Sequence, residues 1–471
     1  MWWWWLATGC AGDATVVAEE LGSVFGATTT TRTPDGGTTT GAGGNLIPVN
    51  LDDVKVALHP AMDSILVVSW VQDGVADVGL VFSADGGETA VSPPRGLGPG
   101  AHEEWIVGVP FDAEVAWHIA ATGGFGRVAT EPQVTSTGPF PAGLQGATLL
   151  TEGAWDPAIP YVLASGPKIG GNFGSVWWAQ IVDRQGRAVW ALSSDSDHII
   201  MHPRLSIDGL ALLIDDNSFW GSFDGGLNST VRRMTLDLEV TDEWVTPGLH
   251  HPFVELPGRV LAYGSMDFPY INEWLIETDV HGDARTVFDC EEWLDQDSGY
   301  CGSNTLNWRE AEDDYLFSFY SLDSIFQIDP ASGDVLRVFG HARGAYAFDP
   351  PESAFWWQHG GHYTDEGTLL TSTYLNEDGG ETIVREYLVD EEGQRLVELR
   401  NFGVGEGLFG DQMGEVTRLP SGHTIHNLGT LPRLREFDED GAVVWDVAWE
   451  TGPVGRTTPL TSLYDLLPIR P

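Results

Sequence analysis

The stretch EVTRLPSGHTIHNLGTLPRLREFDEDGAVVWDV, residues 415–447, contains two hairpin patterns in succession. In the first pattern, an apolar segment turns at Gly422 and returns. In the second, the acidic turn DEDG separates REF from AVVWDV. Turns built on Asp and Gly between apolar runs are typical of β-hairpins. The stretch therefore predicts four antiparallel strands, which form one small sheet.

The first of these hairpins recurs along the chain. Four copies are clear, and the widest interval between them runs for 109 residues from Gly258 to Gly367; NTLNWREAEDDYLFSF (304–319) is a weaker copy within it. VWWAQIVDRQGRAVWAL (176–192) supplies a sixth unit. A period of about 50 residues with two hairpins indicates a β-propeller with one four-stranded sheet per blade. We therefore predict a six-bladed propeller over residues 145–471, closed by the segment near LTSLYDLL (460–467). The turn glycines of the four clearest copies, spaced 49, 109 and 55 residues apart, are Gly209, Gly258, Gly367 and Gly422.

The region before the repeats has a different pattern. Residues 49–140 contain short alternating segments such as SILVVSWVQ and EVAWHIAAT, which predict a small β-sandwich of the fibronectin type III or immunoglobulin kind. Residues 11–48 are rich in Thr and Gly and predict a flexible linker. The whole chain is thus expected to be all-β.

Composition excludes several classes of partner. The 471 residues carry a formal net charge of -46, which repels nucleic acid and anionic lipid headgroups. No apolar run approaches the roughly 20 residues that a membrane-spanning helix needs. We therefore expect no nucleic-acid partner and no membrane contact except through an N-terminal lipid anchor. The oligomeric state cannot be read from this pattern.

Three cysteines are present. Cys290 and Cys301 bracket the polar loop CEEWLDQDSGYC, a separation at which a disulfide closes easily; the alternative is two unpaired thiols. Cys10 follows LATG and resembles a bacterial lipobox within residues 1–10, although the leader MWWWWL is short and lacks a basic residue. These features predict a periplasmic or cell-surface protein that is lipid-anchored at Cys10, behind a truncated signal peptide.

Polar side chains recur where the inner strand of each predicted blade begins. Because equivalent positions of a propeller converge on its channel, these imidazoles and amides are expected to meet there. The alternative for each is a hydrogen bond to the backbone of a neighbouring blade. Neutral imidazoles serve as nucleophiles, and they also ligate metals. The positions are His202, His250, His251, Asn304, Gln358 and His359.

Metal and nucleotide signals are weak by comparison. No predicted strand or helix carries histidines at the i, i+2 or i, i+4 spacing of a typical metal site, although the pairs His250–His251 and His359–His362 leave a catalytic metal open, and no phosphate-binding glycine loop is present. We expect no cofactor; a structural Ca²⁺ in the acidic turns is the favoured metal alternative, ahead of a catalytic transition metal.

The chain resembles the arylsulfate sulfotransferases. The resemblance rests on HHPFVELPGRVLAYG, on Gln358-His359 at the start of a blade, on YLFSFYSLDSIFQIDPASGDVLRVFG, and on REYLVDEEGQRLVEL followed by VTRLPSGHTIHNLGTLPRLREFDEDGAVVWDV. It covers about residues 50–471. It implies a propeller with an N-terminal β-sandwich and a ping-pong transfer of a sulfuryl group between phenols without a nucleotide donor. It further implies that His359 is the nucleophile, and that His251 or its neighbour His250 lies near the sulfuryl oxygens.

The sequence departs from this family at two positions. The His-x-Asn motif of the family corresponds here to Gly302-Ser303-Asn304, and its arginine in the following strand corresponds to Tyr320. Loss of one hydrogen-bond donor to a developing negative charge lowers the rate of a reaction about 10²–10³-fold. Arg204 and Arg343 are the candidate substitutes.

Two functions are therefore predicted. The first is an exported aryl sulfotransferase that uses small aromatic sulfates and phenols. His359 is its nucleophile, His251 the acid/base or oxyanion partner and Asn304 a hydrogen-bond donor. The second is a binding or scaffold propeller that has lost the chemistry, which the Gly302 and Tyr320 departures favour. The segments FWWQ and NSFW supply aromatic faces for a phenolic ring. Partly for this reason, four further residues are predicted to contact substrate: Gln358, Tyr320, His202 and Trp357.

Overall fold

A computed structural model describes residues 49–124, 126–267, 272–294 and 300–468. The structure is 54% strand and 4% helix, so the predicted all-β class is confirmed. The predicted leader (1–10) with Cys10 and the whole of the predicted linker (11–48) lie outside the described residues.

The N-terminal part forms two antiparallel sheets around one core. Alternation along the strands turns Leu66, Val68 and Trp70 inward from one sheet, and Val115 and Trp117 inward from the other. The closer assignment to a fibronectin or immunoglobulin type stays a prediction. The strands are β1 (Leu51–His59), β2 (Met62–Gln72), β3 (Ala76–Ala84), β4 (Ala90–Val91), β5 (Arg95–Leu97), β6 (Gly100–Ile106), β7 (Glu114–Gly123), β8 (Gly126–Ala129) and β9 (Gln133–Ser136); β1-β2-β6 form the first sheet.

The remaining strands form six sheets of four or five strands, each corresponding to one predicted blade. The weak copy at 304–319 contributes two adjacent strands of blade 4. In chain order the strands are β10 (Thr148–Glu152), β11 (Tyr161–Pro167), β12 (Trp177–Asp183), β13 (Ala188–Ser193), β14 (Arg204–Leu205), β15 (Leu212–Asp216), β16 (Thr230–Met234), β17 (Val240–Val245), β18 (Leu249–Leu256), β19 (Val260–Asp267), β20 (Asn272–Asp279), β21 (Ala284–Asp289), β22 (Ser303–Arg309), β23 (Asp314–Phe319), β24 (Ser324–Ile328), β25 (Val335–Gly340), β26 (Ala347–Asp349), β27 (Trp356–Tyr363), β28 (Leu369–Asn376), β29 (Gly379–Asp390), β30 (Arg395–Phe402), β31 (Glu415–Arg418), β32 (Thr424–Asn427), β33 (Arg433–Phe437), β34 (Val443–Ala448) and β35 (Thr458–Leu460).

Both ends of the repeat region contribute to closing the ring. The order in blade 1 is β35-β11-β12-β13, so a C-terminal strand supplies its inner edge. Blade 6 is β31-β32-β33-β34-β10, so the first strand of the region supplies its outer edge. The closing strand ends at Leu460, where the predicted closure segment begins. Blades 2, 3 and 4 are β14-β15-β16-β17, β18-β19-β20-β21 and β22-β23-β24-β25, and blade 5 is β27-β28-β29-β30-β26.

Short helices interrupt the strands. A disulfide joins Cys290, at the start of the second helix, to Cys301, which confirms the predicted bridge. In the described residues, no helix is long and apolar enough to cross a membrane. The described helices are α1 (Ser218–Gly221) and α2 (Cys290–Leu294), with single 3₁₀ turns at Tyr320–Leu322, Pro351–Ser353 and Tyr464–Leu466.

Candidate functional site

The inner strands of the six blades begin around one small pocket. Its cavity volume is about 30 Å³. The structure therefore brings together His202, His251, Asn304 and His359, four of the residues predicted from sequence. We call this space the histidine pocket; its lining is His202, His251, Asn304, Thr305, His359, Met413, Gly414, Glu415, Gly455 and Arg456.

His359 lies on an irregular part of β27. Its pairing with β28 shifts register on both sides of His359, and Trp357 and Gly360 have positive φ angles of 50° and 66°. A Cβ atom at Gly360 would lie 2.8 Å from the Cα of Glu415, so glycine lets blade 6 approach closely. Bulges of this kind redirect a side chain at functional sites.

The tautomer of His359 follows from its hydrogen bond. Its Nδ1 lies 2.9 Å from the carbonyl oxygen of Trp357, which can only accept, so Nδ1 carries the hydrogen. Burial lowers the pKa of His359 to about 4, because desolvation disfavours the charged imidazolium. At neutral pH the ring is therefore neutral, and Nε2 holds a free electron pair.

His202 is positioned by two neighbours. Asp215 accepts the backbone N–H groups of Met201 and His202, and His202 Nδ1 donates to the carbonyl oxygen of His251 in the next blade. The pKa of His202 lies well below its ordinary value, mainly because of burial and, to a smaller extent, because of the positive charge of Arg456. His202 is therefore also neutral, with Nε2 unprotonated.

The adjacent histidines of blade 3 occupy different places. His251 lines the pocket, its ring centroid lies 5.6 Å from that of His202, and burial lowers its pKa strongly. His250 lies behind it, 1% exposed, and its Nε2 donates to the carbonyl oxygen of Ser303. Of the two histidines that the resemblance left open, His251 is the one lining the pocket.

The two predicted amides also separate. Asn304 lines the pocket; its Nδ2 donates to the Gln358 carbonyl oxygen at 2.7 Å. Gln358 is fully buried between blades, where its amide nitrogen bonds Ser318, Phe319 and Ser324, and it does not line the pocket. At this position of the ring, Gln358 therefore connects neighbouring blades, whereas Asn304 lines the pocket.

Arg456 is a pocket residue that sequence reasoning missed. Its Nε donates to Glu415, and Thr457 donates its backbone N–H to the other oxygen of that carboxylate at 2.9 Å. The segment GPVGRTT lies outside the repeat, so no periodic signal marks it. The predicted substitutes lie elsewhere: Arg204 lines a different cavity, and Arg343 is exposed over the ring of Trp293.

Three pocket residues carry buried polar atoms without a hydrogen-bond partner in the described part of the chain. Such atoms are uncommon in native structures and often mark a ligand position. The described residues contain no group of three or more His, Cys, Asp or Glu that could hold a metal ion, and the Ca²⁺ option stays a prediction. The unpartnered atoms are His251 Nδ1, Asn304 Oδ1 and Arg456 Nη1.

An aromatic pocket adjoins the histidine pocket. Its cavity volume is about 310 Å³, and Tyr320 forms part of its wall while stacking on His359 with 6.3 Å between ring centroids. Trp220 contacts His251 at 5.4 Å between centroids. Trp357, 40% exposed, stacks on the outer side of Tyr320. The lining is Phe219, Trp220, Phe223, Gly225, His250, Met266, Tyr300 and Tyr320.

The two departures from the family pattern are structurally coupled. A Cβ atom at Gly302 would lie 2.8 Å from the Tyr320 hydroxyl and 2.9 Å from its ring. The absence of a side chain at Gly302 therefore provides the space that Tyr320 fills. The phenol supplies aromatic surface here and, since burial raises its pKa to about 12, it stays neutral.

Comparison with known proteins supports the resemblance over part of the chain. Residues 294–450 match the profile of the arylsulfotransferase (ASST) family. This third of the chain includes Asn304, Tyr320 and His359, whereas His202 and His251 precede it. The predicted resemblance is confirmed there, and it supports an aryl sulfotransferase activity in general terms.

Other comparisons are more distant. No curated protein matches the chain in sequence. A protein of unknown function from Bacteroides caccae is 13% identical with a TM-score of 0.45, and the match covers 64% of this chain and all of that one. A streptogramin B lyase is 11% identical with a TM-score of 0.37, covering 65% and 88% of the two chains. Likenesses at this level support no statement about activity.

Proposed function

We propose that the protein is an exported aryl sulfotransferase that moves a sulfuryl group from a phenolic sulfate ester to a phenol through a sulfohistidine at His359. The observation that carries this proposal is the tautomer of His359: a neutral imidazole with Nδ1–H bonded to the Trp357 carbonyl and Nε2 free. A buried neutral imidazole is a nucleophile that needs no separate base to activate it. No nucleotide donor is required.

In the first step, Nε2 of His359 attacks the sulfur of the ester. The N–S bond forms as the S–O bond to the ring breaks, and the electron pair leaves on the phenoxide oxygen. The proton stays on Nδ1, hydrogen-bonded to the Trp357 carbonyl oxygen, so the sulfated ring is an imidazolium balanced by its sulfonate. The aromatic pocket beside His359 is suited to hold the ring of the ester.

In the second step, the oxygen of a phenol attacks the same sulfur. The N–S bond breaks and its electrons return to Nε2 of His359. The phenol proton passes to neutral His251, whose lowered pKa makes it release the proton to solvent, and the phenoxide that left in the first step takes up a proton from solvent. The unpartnered Asn304 Oδ1 is suited to accept a hydrogen bond from the incoming hydroxyl.

Charge develops on the sulfuryl oxygens, and Arg456 is suited to stabilise it. It is 7% exposed, is held through Nε by Glu415 and keeps Nη1 without a partner in the described residues. A pre-oriented guanidinium in a dry site stabilises such charge more than water does. In this proposal Arg456 stabilises the sulfuryl oxygens, the role for which Arg204 and Arg343 were the candidates predicted from sequence.

The test uses a chromogenic aryl sulfate with a phenol acceptor. Wild type should release the chromophore and sulfate the acceptor, His359→Ala should lose both activities, and His281→Ala, a change at an exposed hairpin histidine, should retain them. Equal release by wild type and His359→Ala would rule out His359 as the nucleophile.

One observation favours a binding function as the second candidate. Tyr320 fills the space over Gly302 and places an uncharged ring beside His359. A propeller that only binds aromatic sulfates would bind the chromogenic ester without consuming it, which the same assay combined with calorimetry detects.

Export is part of the proposal. The Cys290–Cys301 disulfide supports it, because such bonds persist in oxidising compartments. We further propose lipid attachment at Cys10, which gives a periplasmic or cell-surface location. Mass spectrometry of the mature N-terminus tests this, and an unmodified Cys10 in mature protein would refute the anchor.

A further inference from the structure

The propeller channel has a second opening beyond the histidine pocket. Inner strands that begin at the pocket continue for about three residues, from Asn304 to Asn307 and from His359 to His362, which spans roughly 10 Å along a strand. There they line a cavity of about 370 Å³. We call this cavity the arginine mouth; the lining residues that matter are Arg204, Asn307, Arg309, His362, Glu415 and Arg456.

The arginine mouth is cationic in a strongly anionic protein. The chain has 23 basic against 69 acidic residues, yet three arginines line this one cavity with a single carboxylate. That carboxylate, Glu415, has both oxygens engaged, one by Arg456 and one by the Thr457 N–H. Arg309 is paired with Asp314 outside the lining. Of the three arginines that line the cavity, Arg204 is the one without an acidic partner in the described residues.

Arg204 has an unusual environment. Among the described arginines, the others without an acidic partner are Arg127 and Arg343, and both are exposed. Arg204 donates instead to the carbonyl oxygens of Phe253 and Leu306 and to Asn307 Oδ1. These bonds tie three blades together and engage three of its five N–H groups, so two N–H groups and the positive charge are left without a partner in the described residues.

A second observation points the same way. Arg456, more than nine-tenths buried, lines this cavity as well as the histidine pocket, and its Nη1 has no partner in the described residues. His362 is not a donor here, because its Nδ1–H bonds the Gly360 carbonyl oxygen and its neutral ring leaves Nε2 unprotonated. The unused donor is Arg456 Nη1. Uncompensated guanidinium charge beside an unused donor is what an oxyanion requires.

We propose that the arginine mouth binds a small tetrahedral oxyanion between Arg204 and Arg456. Sulfate and phosphate are both oxyanions of this kind, and titrating the protein with each of them distinguishes which one the site prefers. The proposal does not depend on sulfuryl transfer, because Arg204 lies outside the histidine pocket, although the guanidinium of Arg456 lines both cavities.

Calorimetric titration of the full chain with sodium sulfate, and separately with sodium phosphate, at constant ionic strength against sodium chloride tests the site. Wild type should bind at least one of the two, and the tighter one identifies the ligand. Arg204→Gln should bind it about tenfold more weakly or worse. Arg343→Gln, an exposed arginine, and His359→Ala should bind as wild type. Absence of binding, or loss in His359→Ala with retention in Arg204→Gln, would overturn the proposal.

A measurement on the wild type covers the case in which Arg204→Gln fails to fold. Phenylglyoxal modifies accessible arginines, and the bound oxyanion should protect the peptides carrying Arg204 and Arg456 but not the peptide carrying Arg343. Protection that is equal with chloride would contradict the site.

Discussion

The pH dependence of turnover follows directly from the burial of His359. Burial lowers its pKa to about 4, so the nucleophilic neutral ring persists well below the pH at which an ordinary imidazole protonates. At pH 5, about 3% of an imidazole with pKa 6.5 is neutral, against about 90% of one with pKa near 4, a difference of about 30-fold in kcat/KM. The acid limb of the profile should thus lie near pH 4.

The assay measures kcat/KM for an aryl sulfate ester between pH 3.5 and 8, with phenol release quantified by chromatography because the colour of the product itself depends on pH. Folding must be followed in parallel. The imidazoles buried in a neutral state bind fewer protons than in the unfolded chain, so stability falls as pH drops below about 6.5. A folded enzyme whose acid limb lies near pH 6.5 would refute the desolvated nucleophile.

Three further predictions concern the surroundings of His359. Arg456→Gln should lower kcat about 10²–10³-fold, because the proposed mechanism uses this cation to stabilise the charge on the sulfuryl oxygens; an unchanged kcat would exclude that role. Gly302→Ala should displace the Tyr320 ring and raise KM for the ester with little change in Tm, since the clashing group is the end of a side chain; an unchanged KM would show that the ring does not contact substrate. Replacing both Cys290 and Cys301 by Ser should lower the free energy of unfolding by about 2–3 kcal/mol in denaturant titrations, because the bridge closes a short loop; equal stability would contradict this.

Matched controls separate these effects. Arg343→Gln removes an exposed arginine outside the histidine pocket and should leave kcat unchanged. Gly282→Ala, at a glycine of positive φ with open space around its Cβ position, changes a turn glycine remote in sequence from Tyr320 and should leave KM unchanged.

The periodic features were accessible from sequence. The turn glycines at Gly209 and Gly258 mark equivalent hairpins, so their spacing gave the blade number, and the recurring position at His202, Asn304 and His359 correctly indicated a shared pocket. Periodicity works here because each blade is a local unit of consecutive strands.

The non-periodic features were not accessible. Arg456 enters the pocket from the segment that closes the ring, and its position depends on Glu415 in a different blade. Gln358 occupies the expected register, but its amide turns towards blade 4. The filling of the space over Gly302 by Tyr320 is likewise a long-range packing event, which no local pattern encodes.

The most direct test of the central claim is to capture the covalent intermediate. Enzyme incubated with an aryl sulfate in the absence of acceptor, quenched at alkaline pH and digested, should yield the peptide containing His359 with the mass of one added SO₃ group, and adding a phenol before the quench should remove it. An active enzyme whose His359 peptide stays unmodified, or that carries the sulfuryl group on another residue, would contradict the mechanism.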